Sequence, residues 1–99
     1  MRTVMVRYKL HPERAAENER LIGEVFAQLA DEQPEGTSYH VFKMPDGVSF
    51  IHVASTPEDV TPNPLTSLKA FQRFVAGIKE RAEEPPVTIE LTPVGKYLG

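Results

Sequence analysis

The sequence predicts an α+β domain: one antiparallel four-stranded sheet with two helices packed on one of its faces. Three observations lead there. Apolar residues alternate with period two over 3–10 and 87–92, the pattern of a strand, and 37–44 and 48–55 are two strand-like runs separated by Pro45-Asp46-Gly47. Between these stretches, apolar residues recur three and four apart, the pattern of an amphipathic helix. The nine prolines fall at the borders of these segments and not inside them.

In chain order, Val4, Val6, Tyr8 and Leu10 alternate with Met5, Arg7 and Lys9, so residues 3–10 read as a strand. His11-Pro12 stops it, and Pro12 suits the first turn of a helix. Leu21, Ile22, Val25, Phe26, Leu29 and Ala30 form one stripe on that helix, which Pro34-Glu35-Gly36 ends. Residues 37–44 and 48–55 then read as a hairpin. In Pro45-Asp46-Gly47, Pro and Asp suit the αR positions of a type I turn and Gly the left-handed position of a three-residue loop. That loop predicts a register with Met44 opposite Val48, Phe42 opposite Phe50, His40 opposite His52 and Ser38 opposite Ala54. The other face then pairs Lys43 with Ser49, Val41 with Ile51 and Tyr39 with Val53.

Residues 56–64 hold three prolines without periodicity and read as a loop. Leu65, Leu68, Phe71, Val75, Ile78 and Ala82 mark a second helix, with Asn63 or Ser67 as candidate caps. Pro85-Pro86 is expected to close it. Val87, Ile89 and Leu91 alternate as a last strand, and 93–99 reads as an extended tail. The order β-α-β-β-α-β is the ferredoxin-like arrangement, and right-handed crossovers favour strand order 4-1-3-2. Val4, Val6, Tyr8, Val41, Ile51 and Val53 are expected beneath the helices. Met5, Arg7, His40, Phe42, Phe50 and His52 would fall on the opposite face, too apolar to face solvent unaided.

Composition narrows the function classes. Ninety-nine residues make a single domain, 1–99. Eleven Lys and Arg against fourteen Asp and Glu give a net charge of −3, which argues against a nucleic-acid partner. Without cysteine there is no disulfide, thiolate nucleophile or cysteine metal site. The N-terminus builds no apolar run, so neither a signal peptide nor a membrane partner is expected and a cytoplasmic location is the default. No phosphate loop, dinucleotide fingerprint, zinc-protease or nucleophile-elbow motif occurs.

The candidate site rests on side chains the expected register brings together. His40 and His52, about 5 Å apart across the hairpin, are candidate catalytic residues, one acting as a general base toward a phenol. Arg7, on the same side, is the candidate for holding an anionic or phenolate ligand, with Phe42 and Phe50 alongside as candidate substrate-binding residues. The bland readings are a histidine pair packed at an interface, an Arg7–Glu90 salt bridge and phenylalanines that only pack. No metal is expected, because a two-histidine site lacks a third ligand nearby.

Thr3-Val4-Met5-Val6-Arg7-Tyr8-Lys9-Leu10-His11-Pro12-Glu13, Pro34-Glu35-Gly36 before Tyr39-His40-Val41-Phe42, and Lys69-Ala70-Phe71 carry a family resemblance. The chain resembles the dimeric α/β-barrel proteins related to antibiotic-biosynthesis monooxygenases. That resemblance implies a homodimer whose two sheets face each other. It also implies a cofactor-independent monooxygenase-like oxidoreductase that acts on a small aromatic or phenolic molecule, with no cofactor. Quinone-forming members commonly use Trp and Asn, and haem-degrading members an Asn-Trp-His set. This chain has no Trp, and its asparagines, Asn18 and Asn63, fall on a helix and in a loop, so neither set carries over. The alternative is a non-catalytic dimeric protein of the same fold that binds a small ligand or serves a structural role.

Overall fold

A computed structural model describes residues 1–99. Strand β1 (Arg2–Leu10) leads through a single 3-10 turn at Pro12–Arg14 into helix α1 (Ala15–Glu32). Strands β2 (Ser38–Lys43) and β3 (Ser49–Thr56) form the hairpin. Helices α2 (Lys69–Ala76) and α3 (Ile78–Arg81) precede strand β4 (Ala82–Leu91). The sheet order is β2-β3-β1-β4, antiparallel throughout, the expected ferredoxin-like topology. No helix is long and apolar enough to cross a membrane.

The core lies between sheet and helices. Tyr8, Leu10 and Phe50 from the sheet meet Ile22 and Val25 of α1, and Phe74 and Ile78 of α2 and α3. Leu10 and Val25 are fully buried, each such side chain contributing about 1.5–3 kcal/mol. The second helical segment is shorter than its periodicity predicts. Gly77 interrupts it, and its first turn opens at Leu68, which offers no side-chain cap. The Gln28 side chain of α1 reaches across instead and accepts the Ala70 amide at 2.9 Å, satisfying one of the free N–H groups of that turn. Asn63 caps the preceding turn, its Oδ1 accepting the Leu65 and Thr66 amides.

Two expectations are corrected. Strand β4 begins at Ala82 and runs through Pro85-Pro86 instead of starting after them. It is an edge strand whose pairing with β1 shifts register between Arg7 and Lys9, the kind of site where prolines fit a sheet. The hairpin register is also displaced by one residue. Val41 lies opposite His52, His40 opposite Val53, Phe42 opposite Ile51, and Lys43 opposite Phe50.

Gly47 donates to the Met44 carbonyl at 2.9 Å and takes the expected left-handed φ, +78°, but the loop closes on Ser49 and holds four residues where three were expected. The slip comes from Asp46. Its Oδ1 accepts the Val48 and Ser49 amides, and its Oδ2 the Ser49 hydroxyl. Val48 is thereby drawn into the loop, and Met44 closes the ladder on Ser49 at 2.8 Å. The sheet faces follow from this. Phe50, His52 and Ala54 join Val4, Val6 and Tyr8 under the helices, while Ile51 and Val53 turn to the outer face.

Candidate active site

A cavity of about 350 Å³ lies between the sheet and α2–α3. Val4, Val6 and Ala54 line its floor, and Leu65, Phe71, Phe74, Val75 and Ile78 its roof. The deep end is polar. Tyr8 from β1, Tyr39 from β2 and His52 from β3 all line it, because the observed register points these residues toward the helices.

These side chains form one hydrogen-bonded chain. The Tyr39 hydroxyl lies 2.6 Å from His52 Nδ1, and the Tyr8 hydroxyl 2.6 Å from His52 Nε2. Asn18 of α1, fully buried, donates from Nδ2 to the Tyr8 oxygen at 2.9 Å. Behind it, Arg81 Nε donates to Asn18 Oδ1 at 3.1 Å, and Arg81 Nη2 to the Phe74 carbonyl at 2.6 Å. Arg81 is only 2 % exposed and also sits over the Phe74 ring.

The chain has a direction. Arginine only donates, so Asn18 Oδ1 must accept and its Nδ2 must donate to Tyr8. Burial holds His52 down to about 4, so it is neutral at pH 7 and carries one N–H. If Nδ1 carries it, Tyr8 donates to His52 and the Tyr39 O–H is left for the cavity. If Nε2 carries it, Tyr39 donates to His52 and the Tyr8 O–H is left. In either pattern one tyrosyl O–H faces the cavity, and switching between them moves a proton along the line. Burial raises both tyrosines well above the usual phenol range, so they work as neutral hydroxyls. Asn18 and, more weakly, the Arg81 charge oppose that rise at Tyr8.

The sheet divides the sequence-predicted site residues. His52 lines the cavity, and Phe50 lies under the helices, stacked on Tyr8 at 5.7 Å. His40 lies on the outer face, stacked on Phe42 at 6.3 Å. Arg7, opposite Ile51, is on that outer face too. The expected His40–His52 pair and Phe42–Phe50 pair therefore do not form, since each register partner moved to the other side. Sequence reasoning missed Tyr8, Tyr39, Asn18 and Arg81 as site residues. A signal existed for two of them: Asn18 is in phase with Ile22, Val25 and Leu29, and Arg81 with Phe74 and Ile78, polar residues on apolar stripes.

Structure comparison places this geometry among known folds. An antibiotic biosynthesis monooxygenase superposes with a TM-score of 0.77 at 17 % identity, over 96 % of this chain and 100 % of that one. A cofactor-independent oxygenase from Streptomyces nogalater gives 0.69 at 18 % identity, over 96 % and 94 %. A conserved protein from Methanosarcina mazei Go1 gives 0.73 at 13 % identity, over 91 % and 89 %. The chain has the antibiotic-biosynthesis monooxygenase fold. No family model matches it, and no curated protein matches it by sequence.

Proposed function

We propose that this protein is a cofactor-independent monooxygenase acting on a small phenolic molecule held in the cavity. The observation that carries the reading is a neutral histidine fixed between two tyrosines at the closed end of an apolar cavity. A phenol with an open para position reacts with dioxygen to give a quinone and water. One C–H and one O–H bond break and a C=O bond forms. One oxygen atom enters the product and the other leaves as water with both hydrogens. The substrate supplies all the electrons, so no external reductant is consumed.

What the residues contribute is movement of the phenolic proton. Tyr39 takes it while passing its own to His52 Nδ1, and the O–H that Tyr39 has gained donates back to the oxyanion and stabilises it. The energetics make His52 a transient carrier. A phenol near pKa 10 and a histidine near 4 differ by about six units, or about 8 kcal/mol. The resulting ion pair recovers about 4 kcal/mol at 4 Å and an effective dielectric of 20. The ionised pair is thus sparsely populated, yet it is the electron-rich form that dioxygen attacks.

The second reading is a non-catalytic protein of the same fold that binds a small ligand. The weak basicity of His52 favours it, since a neutral imidazole between two phenols is well suited to hydrogen-bonding a guest. Oxygen uptake with a panel of phenols that have an open para position decides between them. The enzyme reading expects uptake that His52→Gln and Tyr39→Phe abolish and His40→Ala leaves in place. Ligand binding without oxygen consumption establishes the second reading.

We also assign a homodimer. The outer sheet face carries Met5, Ile51, Val53, Phe42, Val87 and Ile89, and the last three are between 42 and 56 % exposed. A second copy covering this face removes apolar surface worth about 25 cal/mol per Å². On this assignment Arg7 and His40 belong to the interface.

A further inference from the structure

The two ends of the cavity differ in a way the proton chain does not use. Along β1 the inward side chains run Arg2, Val4, Val6, Tyr8, and all four line the cavity. The Tyr39 hydroxyl, bonded to His52 at the level of Val6, stands four residues from Arg2, roughly 13 Å along the strand at about 3.3 Å per residue. Between them the walls are aliphatic and aromatic. Beyond Val4 they turn polar again, with Thr56 opposite Arg2 and Asn63 and Thr66 beside Thr56, while Thr88 stands opposite Val6.

Among the lining residues Arg2 alone carries a formal charge at neutral pH, in a chain whose net charge is −3. Its partner in the free protein is Glu90, 3.5 Å away, and both side chains are largely exposed. Such a pair is weak and exchangeable. The neighbouring amino terminus pairs with Glu58 at 3.8 Å instead. The Asn63 side chain is committed to the Leu65 and Thr66 amides and to the Thr56 hydroxyl, so it has little to offer an anion.

We infer that Arg2 is a specificity-determining residue at the cavity mouth, and that the molecule bound there is an aromatic phenol with a carboxylate at the end remote from its hydroxyl. This rests on the phenol reading of the deep end and adds a second anchor to it. The guanidinium presents a planar fork that matches a carboxylate, and the guest's carboxylate displaces that of Glu90. With the hydroxyl at Tyr39 and the carboxylate at Arg2, one orientation of a flat guest is selected. A guest without the acid can enter either end first.

The test compares two rigid probes of the same shape, 6-hydroxy-2-naphthoic acid and its methyl ester, by calorimetry and naphthol fluorescence. The acid should bind on the order of five- to tenfold more tightly, a gap that shrinks with added salt. Arg2→Gln should abolish the gap with ester affinity unchanged, and Arg2→Lys should restore part of it. Glu90→Gln should strengthen acid binding alone, by removing the competing carboxylate. Equal affinity for both probes, or a gap that survives in Arg2→Gln, overturns the mouth assignment and leaves the phenol reading standing. If neither probe binds the folded protein, both readings fall together.

Discussion

The burial of His52 gives the stability of this protein a specific acid dependence. In the folded chain the imidazole is held down to about 4, while the unfolded chain protonates it near 6.5. Between those values the unfolded state binds the extra proton, so stability falls as pH falls through the window. At pH 4.5 nearly every unfolded His52 is charged, against about a quarter of the folded ones. The loss between pH 7 and pH 4.5 comes to about 2–3 kcal/mol from this residue. At an m-value of about 1–2 kcal/mol per M, the urea midpoint drops by roughly 1–2 M. Glu17, held low by Arg14, and Asp46, held low chiefly by the Ser49 hydroxyl, also shed stability as they are protonated. Both are common to the wild type and His52→Gln, so the difference between the two proteins isolates His52. Urea unfolding of both at half-unit pH steps is the assay. His52→Gln should be the less acid-sensitive protein by that margin. Parallel midpoints from pH 7 to 4.5 would falsify a neutral, buried His52.

Other perturbations report on neighbouring parts of the argument. Tyr8→Phe removes the oxygen shared by Asn18 and His52, leaving buried groups unpaired. Chemical denaturation should show a loss of about 1–3 kcal/mol. Asn18→Leu leaves the buried Arg81 guanidinium without its Oδ1 acceptor, with the Phe74 carbonyl remaining. A loss of about 1.5–3 kcal/mol is expected, and an unchanged melting curve would contradict the directed chain. Gly47→Val forces a β-branched residue to φ +78°, and should cost about 1–3 kcal/mol by the same measurement. Light scattering coupled to size exclusion should give twice the chain mass at micromolar concentration, and a monomer mass would refute the covered outer face.

The order of elements and the strand topology were legible in the sequence, because each rests on a local period. Alternation over residues 3–10 and the stripe from Leu21 to Leu29 need no partner to be read. The turn at Pro45-Asp46-Gly47 was legible for the same reason: left-handed geometry at Gly47 is a property of the residue itself. Register was not. On β3, Ile51 and Val53 are as apolar as Phe50 and Ala54, so neither face is marked as the inner one. What decided it was the Asp46 carboxylate taking the Val48 amide, a competition between a side chain and the backbone that composition does not reveal. That single slip carries His40 to one side of the sheet and His52 to the other.

The candidate site was half-visible for a related reason. Asn18 and Arg81 stand out as polar residues on apolar stripes, but the stripes do not say what they meet. Tyr8 and Tyr39 look like ordinary strand aromatics. Asn18 and Arg81 are 63 residues apart in sequence and 3.1 Å apart in space. A buried hydrogen bond of that kind is a property of packing: each group is costly to bury alone, and only the tertiary fold decides which partner satisfies it.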